Sequence, residues 1–267
     1  MVILTKSAAM RLLGMEPKQF NNFYRMGAEF EHTGMDRERL FEWKRDYDSR
    51  CFMLLPEEYA KCLDFALAIH FRGYASIDFG TARQREFGQK VSNWVRGQLG
   101  ELGFAHFCCE RLGFDVELDF AMHEEIVPQD VLAIIQNGQR RTPTNKIAVK
   151  ATKHTNVSLV LSRNEVELPN RQSDIYVFTR INLPDDHLLR VGRQEIINLL
   201  QNQQHFRLYQ DKIESLGPIK CEVAGFVYRN DLELSRTIPG YTFPSERYVK
   251  LSGRLRRSIE EWRQAIR

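Results

Sequence analysis

The feature that most constrains the fold is a succession of short segments, rich in β-branched and aromatic residues, between about residue 115 and residue 228. Turn-forming residues separate these segments, a pattern typical of strands. They are DVELDF, VLAII, KIAVKATK, SLVLS, VELP, DIYVFTRI and CEVAGFVY. Helical patterns precede them, ending at Gly113, and interrupt them near Gln194 to Leu200. We therefore predict an α/β fold with a mixed central sheet and flanking helices.

Short amphipathic segments in the first 50 residues predict a small helical domain. The first covers residues 4–14, the second begins at Pro17 and ends at Gly27, and the third runs from Met35 to Tyr47. Together they resemble a helix-turn-helix of the excisionase or MerR-like kind, although any small helical subdomain shows a similar pattern. The resemblance implies that the second helix contacts DNA through Lys18, Asn21, Asn22 and Arg25.

The chain divides into parts of different character. Residues 1–50 are predicted to form the helix-turn-helix domain, residues 51–95 a helical linker and residues 96–267 the main domain. Within the linker, the pattern of residues 54–71 is helical and is expected to bridge the two domains.

Cysteine content and hydropathy bear on the compartment. The five cysteines are an odd number without a CxxC pair, and Cys108 and Cys109 are adjacent, which favours a reduced, cytoplasmic protein. Neither a secretory signal nor an apolar run long enough to cross a membrane is visible, so no membrane partner is expected.

Basic residues are concentrated in two stretches, although the formal net charge of only +3 neither demands nor excludes a polyanionic partner. Arg140, Arg141, Lys146, Lys150 and Lys153 follow one another without an acid. A second cluster extends from Arg247 to the end of the chain. Both suit contacts with phosphates, and the second is equally compatible with a solvated helix face.

Three ionisable residues occupy positions that packing alone does not explain. Asp130 stands at the start of a predicted buried strand, and Lys150 lies inside an otherwise apolar one, where an unpaired charge costs several kcal/mol. We expect these strands to form a hairpin closed by QNGQRRTPTN, so that the acid and the lysine meet. Glu101 is predicted to begin the helix that precedes the first strand.

This order of elements resembles the PD-(D/E)XK nuclease superfamily over roughly residues 96–230. The resemblance rests on the helix with Glu101, the strand after Pro128-Gln129-Asp130, and the strand with Val149-Lys150. It implies that Asp130 and Glu101 bind Mg²⁺ and that Lys150 orients or activates the attacking water.

A chain of this size with its own DNA-reading segment is similar to a type II restriction endonuclease. Such an enzyme hydrolyses double-stranded DNA. The resemblance implies a homodimer, since one site cuts one strand and a two-fold pair matches a palindromic target. Lys153 and His154, beside the same strand end, and Arg140 and Arg141 are interpreted as DNA contacts, with a general-base or structural histidine as the alternative.

One position departs from the family pattern. The superfamily carries an acid or glutamine two residues before the lysine, and this chain has Ala148, which cannot bind a metal. Glu101 could take that place, an acid of the following segment (Glu165 or Glu167) could, or the site could be inactive. The glycines around Glu101 favour the first option if they mark a close backbone approach, and they are equally compatible with helix-packing contacts. Residues 81–112 are predicted to form a helical stretch that is interrupted near Gly97 and Gly100.

Each of the three residues has an ordinary structural alternative: a turn cap for Asp130, an exposed strand-edge lysine, and a first-turn helix glutamate. Alternative functions are a repair, junction or mobile-element nuclease, and a DNA-binding regulator or accessory protein with an inactive core. The chain contains no GxSxG motif and no glycine-rich phosphate loop, so we expect neither a serine-hydrolase site nor a nucleotide cofactor.

Overall fold

The computed structural model describes residues 3–15, 17, 20, 35–71, 87–121, 129–192, 217 and 219–266. Strand β1 (Ile3–Leu4) pairs antiparallel with β2 (Met35–Asp36). Helix α1 covers Lys6–Leu13 and α2 covers Arg37–Ser49. No helix in these ranges is long and apolar enough to cross a membrane.

Helices α1 and α2 confirm the first and third predicted helices. The Thr5 side chain accepts a hydrogen bond from the Ala8 N–H, and Gly14 ends α1 in the left-handed conformation. Leu40 and Tyr47 of α2 are buried in one cluster with Ala9. The predicted second helix, with Lys18, Asn21, Asn22 and Arg25, lies outside the described residues, as does the predicted helix near Gln194 to Leu200.

A four-stranded sheet forms the centre of the main domain, in the order β3 (Cys51–Leu54), β10 (Ile219–Tyr228), β9 (Ile175–Ile181) and β7 (Ile147–Lys153). β7 runs parallel to β9, whereas the other neighbours are antiparallel. The predicted mixed α/β architecture is therefore confirmed.

Helix α3 (Pro56–Phe71), which the pattern of residues 54–71 predicted, packs with α4 (Phe87–Phe107) over this sheet. The predicted interruption near Gly97 and Gly100 is wrong, because α4 is continuous and ends in a π-helical turn. A Cβ atom at Gly100 would overlap Thr179 and Ala151, and one at Gly103 would overlap Cys221. These two glycines let the helix approach the sheet closely, which is the packing interpretation.

A smaller sheet holds β4 (Asp115–Leu118), β5 (Val131–Gln136) and β6 (Gln139–Arg141), all antiparallel. The predicted hairpin between VLAII and KIAVKATK is wrong. β5 instead turns back through Asn137 and Gly138, both with positive φ, and pairs with β6. An Asn-Gly pair adopts this tight turn readily, so the segment expected to be a loop contains a strand of its own.

The third sheet comprises β8 (Ser158–Leu161), β12 (Tyr241–Leu251) and β11 (Glu233–Ile238). The predicted strand VELP is wrong, because helix α5 (Arg163–Glu167) occupies this segment. Ser162 and Glu165 cap it reciprocally, a local signal for a helix start. Helix α6 (Ile259–Ala265) closes the structure and buries Trp262 against Phe104, Phe107 and Phe226.

Candidate active site

Asp130 joins the small sheet to the central one. Its N–H donates to the Ile147 carbonyl at 2.9 Å, and its Oδ2 accepts from the Val149 N–H at 2.6 Å. Although the hairpin was wrong, these two bonds place Asp130 beside the strand that carries Lys150. Burial raises the pKa of Asp130, opposed by the Lys150 charge and by the Val149 N–H. The residue therefore does more than cap a turn.

Glu101 lies in the interior of α4, so the prediction that it begins a helix was wrong. Only 6% of the residue is exposed. Its Oε1 accepts from Gln98 Nε2 at 3.1 Å, and within the described ranges its Oε2 is buried without a hydrogen-bond partner. Burial and the nearby Asp130 carboxylate raise the pKa of Glu101 well above its ordinary value. An unsatisfied buried carboxylate oxygen is costly and requires a proton or a cation.

Lys150 supplies the positive charge of this cluster. Its side chain is about one-third exposed, and Nζ lies 3.4 Å from Oε1 of Glu165. Burial opposes the charged form, but Glu165 and Asp130 outweigh it and raise the pKa of Lys150. The lysine is therefore an ammonium ion at neutral pH, paired inside the cluster rather than extended into solvent.

Glu165 is the partner of the lysine. Its other oxygen accepts from the backbone and hydroxyl groups of Ser162, both at 2.9 Å, so the capping box of α5 holds the carboxylate in place. Burial opposes ionisation, but Lys150 and Ser162 keep the pKa of Glu165 below its ordinary value. Glu167, the other acid considered, binds Arg163 and the Tyr248 hydroxyl instead.

Asp119 is a site residue that sequence reasoning missed. It follows β4 directly, and its N–H donates to the Asp130 carbonyl at 3.0 Å. Its negative charge contributes to the raised pKa values of Glu101 and Asp130. The available signal was the aspartate that ends the run DVELDF, but its meaning depends on the register between β4 and β5.

Ala148, the departure from the family pattern, is buried with 3% exposure. It belongs to an apolar cluster that also contains Tyr176 and Phe178. An acid at this position would be surrounded by apolar groups, so the negative charge of the site comes from α4 and the β4–β5 pair instead.

The donor set fits a hard divalent cation. Magnesium prefers carboxylate oxygens, uses one or two of them in most sites, and keeps several waters. Glu101 and Asp130 provide two such carboxylates, one with an unsatisfied oxygen. Among the described residues, no group of three or more His, Cys, Asp and Glu side chains is arranged to hold a metal ion. Glu101 and Asp130 are the residues that would hold the cation, with water and substrate completing its shell.

The predicted DNA contacts that the structure describes lie near strand ends, where Arg140, Arg141 and Lys153 are exposed and His154 is half-buried. Arg140 and Arg141 stand on β6, where Arg140 pairs with Glu117 at 2.7 Å. Lys153 ends β7 and pairs with Asp185 at 2.6 Å, and His154 follows it in a turn.

Part of the second basic cluster is satisfied internally. Arg256 pairs with Asp231 and Glu261, while the Arg257 side chain donates to backbone carbonyls.

Comparison with models of protein families, with curated proteins and with solved structures finds no match for this chain.

Proposed function

We propose that this protein is a Mg²⁺-dependent endonuclease that hydrolyses the phosphodiester bonds of double-stranded DNA, acting as a restriction-type enzyme. The observation that carries the proposal is the unsatisfied, buried Glu101 oxygen beside Asp130, with the Lys150 ammonium next to them. Burial and the Asp130 charge raise the cost of ionising Glu101, so the pair is a poor structural element. The two acids are well suited to a bound cation.

In this proposal Glu101 and Asp130 hold the metal. When bound, Mg²⁺ supplies charge neutralisation on the scissile phosphate and a more acidic water. Asp130 is held by two backbone bonds to β7, which fixes the carboxylate relative to Lys150. Fixed ligands lower the reorganisation needed when charge develops at the phosphate.

Lys150 is assigned the task of orienting the attacking water and balancing charge on the phosphate. Its raised pKa makes it a hydrogen-bond donor at neutral pH, and a protonated amine cannot accept a proton from water. Glu165 is a positioning residue that holds the ammonium group near Asp130.

DNA binding is assigned to the predicted helix-turn-helix and to the basic residues of the strand ends. Lys18, Asn21, Asn22 and Arg25 would read the target, and Arg140, Arg141, Lys153 and His154 would contact the backbone. A homodimer would cut both strands of a two-fold symmetric site.

A second candidate function is a DNA-binding regulator whose nuclease core is inactive. The apolar surroundings of Ala148 favour it, because they leave the site without the acid that the family carries there. A less specific nuclease on the same core is the remaining alternative.

The test is incubation of supercoiled plasmid with the purified protein and Mg²⁺, with EDTA as a control and gel electrophoresis as the readout. We expect discrete fragments that disappear with EDTA. Lys150→Ala should lower the cleavage rate by about 100-fold or more, because it removes the charge next to the phosphate. Lys90→Ala is the matched control, since Lys90 lies about 16 Å from Glu101 along α4.

Each alternative predicts a different gel. Smeared or merely nicked DNA would indicate a nuclease of low specificity, whereas retarded but intact DNA would indicate the regulator. If Lys150→Ala cuts as fast as the parent, the role assigned to this lysine is wrong.

A further inference from the structure

A buried arginine on α4 lacks adequate neutralisation. Arg96 is only 7% exposed, and its Nε is buried without a hydrogen-bond partner in the described part of the chain. The anion that pairs with it is Asp185, at 3.9 Å from Nη2, which is too long for a hydrogen bond. Burial lowers the pKa of Arg96 despite the aspartate. A guanidinium in this position is prepared for a closer anion.

Asp185 is an exposed carboxylate surrounded by basic groups. Its side chain is 70% exposed, and Oδ1 lies 2.6 Å from Lys153 Nζ. Lys153, Arg96 and His154 together keep the pKa of Asp185 below its ordinary value. An exposed pair of this kind contributes little to stability, so the aspartate is easily displaced by a stronger anion.

The turn that carries Asp185 is anchored to the helices. His187 is completely buried, with Nδ1 2.6 Å from the Tyr59 hydroxyl and Nε2 2.9 Å from Ser92 Oγ. Burial and the nearby Arg96 lower the pKa of His187 to about 4, so the ring is neutral at physiological pH. The backbone at Asp185 is thus held near Arg96, and displacement requires only a rotation of the aspartate side chain.

We propose that Arg96 and Lys153 form a binding site for a phosphate group of the DNA backbone, and that the Asp185 carboxylate occupies this site until DNA binds. A phosphate offers several oxygens and a full charge, so it could approach both cations, whereas the single Asp185 oxygen reaches only Lys153 within hydrogen-bond distance. Asp185 then acts as an internal competitor that weakens DNA binding at this site.

The location suits a phosphate close to the candidate active site. Lys153 lies three residues beyond Lys150 on β7, about 10 Å along the strand, and Arg96 precedes Glu101 on α4 by about 7.5 Å. The site would therefore hold a phosphate of the duplex other than the one at the bond that is cut. This assignment rests on the proposed function, because it takes DNA to be the ligand.

The test measures affinity for a fluorescent 20-base-pair duplex by anisotropy, with EDTA present so that no cleavage is needed. We expect Asp185→Asn to tighten binding about threefold to fivefold, because the competitor is gone. Asp186→Asn removes the same charge from the adjacent exposed residue, which pairs with Arg190 instead, and should change the affinity less than about twofold. Lys153→Gln should weaken binding about tenfold and reduce the slope of log K against log salt by about one.

Equal effects of Asp185→Asn and Asp186→Asn would overturn the proposal, as would an unchanged salt dependence in Lys153→Gln. A parallel titration with inorganic phosphate separates the sources of the ligand: tighter phosphate binding by Asp185→Asn with unchanged duplex affinity would refute the DNA assignment. If the duplex results hold but plasmid is never cut, the nuclease proposal fails and this site stands. If plasmid is cut while all variants bind DNA alike, this site alone fails.

Discussion

Two buried charge clusters in this molecule have opposite balance. In the first, a single carboxylate, Glu222, receives hydrogen bonds from Arg180 at 2.5 and 2.8 Å and from Arg50 at 3.0 Å. In the second, Glu101 and Asp130 face one ammonium, and an oxygen of Glu101 has no partner among the described residues. Glu222 and Glu101 are both buried, but among the described residues only Glu222 has hydrogen-bond partners for both carboxylate oxygens.

The difference shows that burial alone does not decide whether a carboxyl group is easily ionised. Burial opposes ionisation of Glu222, but Arg180 and Arg50 outweigh it and hold the pKa below its ordinary value. In the other cluster burial prevails and raises the pKa of Glu101 and Asp130. A complete cluster stabilises the folded chain once formed, whereas an incomplete one is maintained at a cost, which is typical of a site that awaits a ligand.

The largest expected effect comes from breaking the complete cluster. Glu222→Gln removes the anion that two buried guanidinium groups share, and among the described residues only Arg50 keeps another, Asp46. The substitution should lower the free energy of unfolding by about 3–5 kcal/mol. Urea denaturation at pH 7 measures it. Glu246→Gln, in an exposed pair with Arg163, is the matched control and should cost less than about 1 kcal/mol. Similar losses in the two variants would mean that the buried Glu222 cluster contributes no more to stability than an exposed ion pair.

Glu101→Gln should have the reverse effect on stability. The amide keeps the shape of the side chain without the uncompensated charge, so the free energy of unfolding at pH 8 should rise by about 1–2 kcal/mol while Mg²⁺-dependent cleavage is lost. A variant less stable than the parent would show that the carboxylate is a structural element.

The pH dependence sharpens the contrast, because the two shifts have opposite sign. The raised pKa of Glu101 means that its contribution to stability is complete below the unfolded-state pKa and is lost as the pH rises through the folded value. The gain in Glu101→Gln should therefore vanish at low pH. The lowered pKa of Glu222 means that its contribution to stability is lost as the pH falls. The loss of stability in Glu222→Gln should therefore also shrink at low pH. The two variants thus approach the parent from opposite sides, one from higher and one from lower stability. Unfolding curves between pH 3 and pH 8 test both.

The smallest expected effect concerns the missed acid. Asp119 contributes less than burial and less than Asp130 to the raised pKa of Glu101, so Asp119→Asn should slow cleavage only about tenfold and lower the pKa values of its neighbours. The pH profile of the cleavage rate should shift to lower pH. A slower rate with an unshifted profile would mean that the Asp119 side chain does not act through its charge.

Local pattern predicted most of the secondary structure, because each segment carries its own signal. The strands around residues 131–136, 147–153 and 175–181 and the capped helix after Thr5 follow from residues near one another in sequence. The two segments that were predicted wrongly also carry local signals for their true structure. Asn137-Gly138 is a hairpin turn, and Ser162 with Glu165 is a capping box.

The sequence by itself determined the mixed α/β class. It also placed an acid, Asp130, at the start of one strand and a lysine, Lys150, within another. Only the tertiary structure decided that Glu101 lies inside a helix, that Glu165 pairs with Lys150, that Asp119 joins the acids, and that Arg180 and Glu222 neutralise each other. The physical reason is range. Helix and strand preferences depend on neighbours within a few residues, whereas the energy of a charge depends on burial and on partners brought from distant parts of the chain.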